Sequence, residues 1–161
     1  MQIKTYQARG TGYYISNSTI EGGYYDRMGN PLFVIPQHIV LLQDSTKRCY
    51  YTLQNFLRGL VPYVACAMDV EAFPYGTCLH IPELEEKYHC PITFMVVDTG
   101  GDFIGTVTSR IDIYTSNKTA SEDETINGPL TLVHVVSGAD TSTLENIKAV
   151  KNLSHYKRRR K

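Results

Sequence analysis

The sequence has no tryptophan, no Cys-x-x-Cys pair, no low-complexity tract and no internal repeat, and its basic and acidic residues balance at 16 each. Each absence excludes something. With Cys49, Cys66, Cys78 and Cys90 spread along the chain, no zinc-knuckle spacing exists, so neither a metal nor another cofactor is expected. His38, His80, His89, His134 and His155 form no spaced ligand set either. The cysteines read as free thiols, because disulfides belong to oxidising compartments and Met1 to Gln7 shows no basic-then-apolar secretory signal. A membrane span is missing too. The most apolar stretch, Leu32 to Leu42, is interrupted by Pro36, Gln37 and His38 and is too short to cross a bilayer.

The balanced charge conceals a segregation. Five basic residues form the terminal run Lys157, Arg158, Arg159, Arg160 and Lys161, which leaves residues 1–156 with 11 basic against 16 acidic side chains, a surplus of five negative charges. A body this acidic argues against nucleic acid as a partner, since that affinity comes mainly from Lys and Arg on phosphates. The tail alone could hold a polyanion, or it could be a frayed, solvated end.

What is present describes a folded chain: 161 residues, 42% hydrophobic and 20% charged, enough for one domain with a single core. The apolar segments are short, rich in Val, Ile, Thr and Tyr, and punctuated by Gly and Pro, which predicts a mainly β fold, a β-barrel with a few short helices. Ile92 to Asp98 reads as a strand ended by Thr99-Gly100-Gly101, and Ser109 to Thr115 as a second strand with Arg110, Asp112 and Tyr114 on one face and Ile111 and Ile113 on the other. Helices are predicted at Leu53 to Arg58, capped by Thr52 and stopped by Gly59, and at Pro82 to Tyr88, with Pro82 in the first turn beside Glu83, Glu85 and Glu86. A third follows the capping-box pattern Ser142-Thr143-Leu144-Glu145 up to about Asn152.

Asp69, Asp98 and Asp112 each lie in or at the end of an apolar, β-prone stretch. Carboxylates placed this way face solvent or a cleft, and clustering raises the proton affinity of at least one. These segments, in order, carry a resemblance. Gly12-Tyr13-Tyr14, Glu21-Gly22-Gly23, Ala67-Met68-Asp69 with Pro74-Tyr75-Gly76-Thr77, Val97-Asp98-Thr99-Gly100-Gly101 and Arg110-Ile111-Asp112-Ile113-Tyr114 together resemble the three-aspartate (3D) domain shared by membrane-bound lytic transglycosylase A and related wall-remodelling proteins. The likeness covers residues 10–116, with residues 117–156 expected to add a last barrel strand and the third helix before the basic tail.

The resemblance implies a six-stranded double-psi β-barrel and an enzyme acting at the cell wall on peptidoglycan glycan strands. There it would cut the β-1,4 bond between N-acetylmuramic acid and N-acetylglucosamine and leave a 1,6-anhydro end. It makes Asp112 the general acid and then base, Asp98 and Asp69 supporting carboxylates, and Thr77, Gly100 and Gly101 parts of the cleft floor. One principal acid suffices because the substrate's own 6-hydroxyl replaces the second carboxylate of a retaining hydrolase. Tyr14 and Tyr114, inside the matching motifs, are candidate sugar contacts; Glu21 is either a cleft residue or part of a turn, and Arg110 is assigned to substrate contact or to Asp98. Asp26, Asp44, Asp123 and Asp140 read as turn or loop carboxylates.

Two features depart from the family pattern. The interval from Thr99 to Ile111 is longer than usual, which enlarges a loop near Gly105 and Thr106, and Asp102 stands where a small apolar residue is usual. A muramidase-type hydrolase, a non-catalytic wall-binding module of the expansin kind and a phage structural component are the competing expectations. A wall enzyme without a visible signal would reach its substrate by release at lysis, by injection with a phage particle or by an unconventional route, and a phage or prophage origin is the expectation.

Overall fold

The computed structural model describes residues 2–15, 24–35 and 48–136. Within them the chain is mainly β. A six-stranded mixed sheet is built from β1 (Gln2–Tyr14), β4 (Val64–Ala67), β5 (Thr77–Leu79), β6 (Phe94–Asp98), β7 (Arg110–Thr115) and β8 (Pro129–Val136), in the order β5-β6-β4-β7-β1-β8. Its outer strands approach each other through a paired bridge, His80 N–H to Val133 O at 2.9 Å and Val133 N–H to His80 O at 2.8 Å. The sheet thereby nearly closes on itself. Two short strands, β2 (Phe33–Val34) and β3 (Cys49–Tyr50), pair separately.

Alternation along the strands builds two cores rather than one. Val64, Cys66, Phe94, Val96, Ile111 and Ile113 point inward and fill the barrel with Leu130 and Leu132. Their neighbours Ala65, Met95, Val97 and Tyr114 point outward and are covered by Leu32, Tyr51, Val61 and Tyr63. The face of β7 that looks polar in the sequence is therefore a packed face at its C-terminal end, where Tyr114 is fully buried.

Close backbone approach fixes β1 against the segment that leads into β8. A Cβ on Gly10 would lie 2.2 Å from the carbonyl oxygen of Ile126, and one on Gly12 would lie 2.4 Å from that of Ser121. Only glycine fits at either place. The early residues of β1 also belong to the barrel, since Gln2 to Arg9 pair with Val136 to Pro129.

The local signals for the first two helices act as their chemistry dictates. In α1 (Leu53–Leu57) the Thr52 side chain accepts the Asn55 N–H at 3.2 Å, and Gly59 turns the chain away at φ 76°. In α2 (Pro82–Tyr88) Pro82 opens the helix and His89 closes it in the left-handed region at φ 57°. Glu83 does more than face the helix start: its carboxylate takes the Thr131 N–H at 2.9 Å and the Thr131 hydroxyl at 2.8 Å, tying α2 to β8. A one-turn helix, α3 (Lys118–Ser121), precedes β8. The helix expected after Ser142, the basic tail and Glu21 lie outside the described residues. No helix among the described residues is long and apolar enough to cross a membrane.

Candidate active site

The site grows from the register of three adjacent strands. Ala67 on β4 pairs with Asp98 on parallel β6 and with Asp112 on antiparallel β7, and Asp112 pairs in turn with Thr11 on parallel β1. Residues paired directly across strands share a face. Asp98 joins this row only because the pairing of β4 with β6 shifts between Cys66 and Ala67. Val96 points into the barrel, so strict alternation would send Asp98 inward as well; the irregularity turns it outward instead.

The two carboxylates stand in different surroundings. Asp98 is half-buried and accepts the Thr99 N–H at 2.9 Å, and its carboxyl is pushed up to about 6. Burial is the main cause and the neighbouring Asp26 carboxylate adds to it, against the Thr99 N–H and Arg27. Asp112, also half-buried, accepts the hydroxyl of Thr11.

The outer side of the row is aromatic. Tyr13 and Tyr114, paired across β1 and β7, stack with centroids 4.9 Å apart and planes 5° from parallel. Their hydroxyls are both buried and neither has a hydrogen-bond partner among the described residues. Burial is the chief reason that both phenols are pushed well above their ordinary range, and the charge of Asp98 contributes in each case.

Asp69 has a different task. It is 4% exposed, and its carboxylate accepts backbone N–H groups from Glu71 at 3.1 Å, Gly105 at 3.0 Å and Val107 at 2.9 Å. Those bonds, Glu71 first and Val107 next, hold it below the usual carboxylate range. An ionised group so engaged anchors the loop that carries Gly105 and Val107 rather than donating a proton. Val107 sits at φ 52°, a backbone region that a β-branched residue rarely adopts, and the bond to Asp69 helps to keep it there.

The remaining sequence candidates divide. Tyr114 lies with the acidic row, whereas strand alternation puts Tyr14 on the face of β1 opposite Thr11 and Tyr13. Arg110 reaches the Asp102 carbonyl at 3.4 Å and lies over the Phe103 ring at 5.5 Å, so it packs on the loop; Arg27 is the cation felt by Asp98. The Thr77 hydroxyl is bound to the Pro74 carbonyl at 2.7 Å. Gly101 has open space where a Cβ would stand and Gly100 only ordinary contact with Phe103, which leaves the backbone after Asp98 approachable.

Two participants escape sequence reasoning. Tyr13 reads like Tyr14 until the register separates them. Asp26 does organise a turn, accepting the Met28 and Asn30 N–H groups, each at 2.9 Å, but it is also 6% exposed, bound by the Tyr75 hydroxyl and close enough to act on Asp98. The turn was visible in Asp26-Arg27-Met28-Gly29-Asn30; its docking against β6, through Arg27 N–H to Val97 O at 3.1 Å, was not. Searched against known families, curated proteins and solved structures, the chain gives no significant match in any of the three.

Proposed function

We propose that the chain is a peptidoglycan lytic transglycosylase, working at the cell wall on a double-psi barrel of the three-aspartate kind. One observation carries the reading: Asp98, half-buried and with its carboxyl pushed up to about 6, stands in one row with Asp112 beside aromatic faces. A half-buried acid that keeps its proton this close to neutrality can protonate a glycosidic oxygen, and as a carboxylate it can then take the proton from the 6-hydroxyl that closes on the anomeric carbon.

The family likeness gives that role to Asp112, while the surroundings favour Asp98. We therefore take Asp98 as the proton donor and Asp112 as the flanking carboxyl oriented by Thr11, with Asp69 holding the loop beside them. The reaction takes its nucleophile from the substrate's own 6-hydroxyl and so needs no second carboxylate at the anomeric carbon. An inverting muramidase, in which Asp112 would instead activate a water, is the second reading.

Digestion of purified sacculi, followed by mass spectrometry of the released sugars, tests this. Anhydro ends are the expected product. Reducing ends would make the protein a hydrolase, and a folded sample that releases no fragments would leave a wall-binding module.

A further inference from the structure

Beside the acidic row lies a cavity of about 170 Å³ lined by Tyr24, Tyr50, Thr52, Tyr114, Thr115 and Ser116, with Ile15 as the only lining residue among those described that lacks a hydroxyl. Among the described residues its lining carries no charged side chain, and so none of them offers an anion or a cation a counter-charge. Tyr50 stands edge-on to Tyr114, at 6.4 Å and 65°, and tilted against Tyr24, at 6.2 Å and 33°. Arg48 packs over the Tyr24 ring at 5.6 Å. Apolar ring faces combined with neutral hydroxyls match a ligand that has C–H faces and a hydroxyl rim.

Three of these six hydroxyls are already engaged. Thr52 and Ser116 bond each other at 2.7 Å, and Thr115 donates to the Tyr13 carbonyl at 2.9 Å. Tyr114 differs. Its side chain is fully buried, its hydroxyl has no hydrogen-bond partner among the described residues, and that hydroxyl feels Tyr50 and Tyr24, which line the cavity, and Asp98. A buried hydroxyl left without a hydrogen bond is costly and rare in the folded state, and a ligand group in the adjoining cavity would supply the missing partner.

We infer that this cavity is a subsite for a single neutral pyranose ring, held against Tyr24 and Tyr50 and hydrogen-bonded by Tyr114, next to Asp98. The volume is below the roughly 300 Å³ at which pockets begin to enclose larger ligands, which limits the occupant to one ring. The inference rests on the glycan reading above and adds the place where one sugar of the strand is seated.

Chitotetraose, a soluble β-1,4 chain of N-acetylglucosamine, is the probe, titrated into the full chain while the tyrosine ring signals are followed by NMR. The rings of Tyr24, Tyr50 and Tyr114 are expected to shift. Tyr114→Phe removes only the unpartnered hydroxyl, so it should melt no lower than the parent yet bind about tenfold more weakly, the equivalent of one lost hydrogen bond. Tyr24→Ala, at a side chain that is 37% exposed and outside the buried core, should also weaken binding severalfold. Failure of the parent to bind, or unchanged affinity in both variants, overturns the subsite. Sacculi cleaved normally with chitotetraose affinity unchanged in both variants would sink the subsite and keep the enzyme. Loss of affinity in these variants from a protein that cleaves no sacculi would keep the subsite and sink the catalytic reading.

Discussion

Asp98 and Asp112 stand on opposite sides of Ala67, one strand away in each direction, and their carboxyls meet different neighbours. Asp98 lies near Asp26 and the buried tyrosines, while Asp112 holds the Thr11 hydroxyl. That asymmetry gives each carboxyl its own experimental signature.

Replacing Asp98 by Asn should lower glycan release at least a hundredfold, within the usual reach of general acid catalysis. In the parent, release should decline as the pH rises above about 6, where Asp98 gives up its proton. Asp112→Asn should retain that pH dependence even where its rate is low. Release by Asp98→Asn equal to the parent would remove the assignment.

The same group affects stability. Because its folded pKa is raised from 3.8 to about 6, the folded state holds more protons than the unfolded one between these values, and stability falls as the pH rises through that window. Melting curves of the parent should show this decline between about pH 4 and 6, and those of Asp98→Asn should lack it. Asp26→Asn should bring the Asp98 titration, followed by carboxyl NMR, down toward its ordinary value, since one charge that raises it is gone. An unchanged Asp98 titration would discard Asp26 as a cause.

Asp69 has the opposite sign. Its carboxyl is held below the usual range, so the stability that it contributes is present above that range and lost as the pH falls through its folded pKa. Asp69→Asn should melt lower than the parent at pH 7, with the gap closing in acid. Hydrogen exchange should locate the damage: the Gly105 and Val107 amides, bonded to Asp69, should lose protection while those of β4 keep theirs.

Gly12→Ala should destabilise the fold by about 1–3 kcal/mol, because the new methyl meets the Ser121 backbone rather than a movable side chain. Thermal denaturation measures the loss. Sugar affinity should fall as well, since β1 carries both Thr11 and Tyr13 to the site. A melting temperature equal to the parent's would contradict the close packing of β1 against this segment.

Much of the scaffold was legible along the chain because its causes are local. Thr52 caps α1, Pro82 opens α2, and the alternation of Ile111 and Ile113 with Arg110 and Asp112 defines β7. Asp98 and Asp112 were also recognisable as unusual, since each interrupts or ends an apolar strand. Periodicity could not reveal that the outer face of the sheet becomes a second core, in which the Tyr114 ring is buried while it also lines the neighbouring cavity.

The sequence by itself determined that the chain builds a mainly β domain with acidic residues at strand positions, because propensity, alternation and capping act over a few neighbouring residues. The tertiary structure alone decided which of those residues meet. The pairing shift after Cys66 turns Asp98 into the row of Asp112, the parallel pairing of β1 with β7 selects Tyr13 over Tyr14, and the docked turn brings Asp26 toward Asp98. Asp69, which the pattern grouped with the other two, holds a loop nearly forty positions further along. Proton affinity follows from burial and from charges that are close in space and far apart in the chain, so it appears only once the strands have been laid side by side.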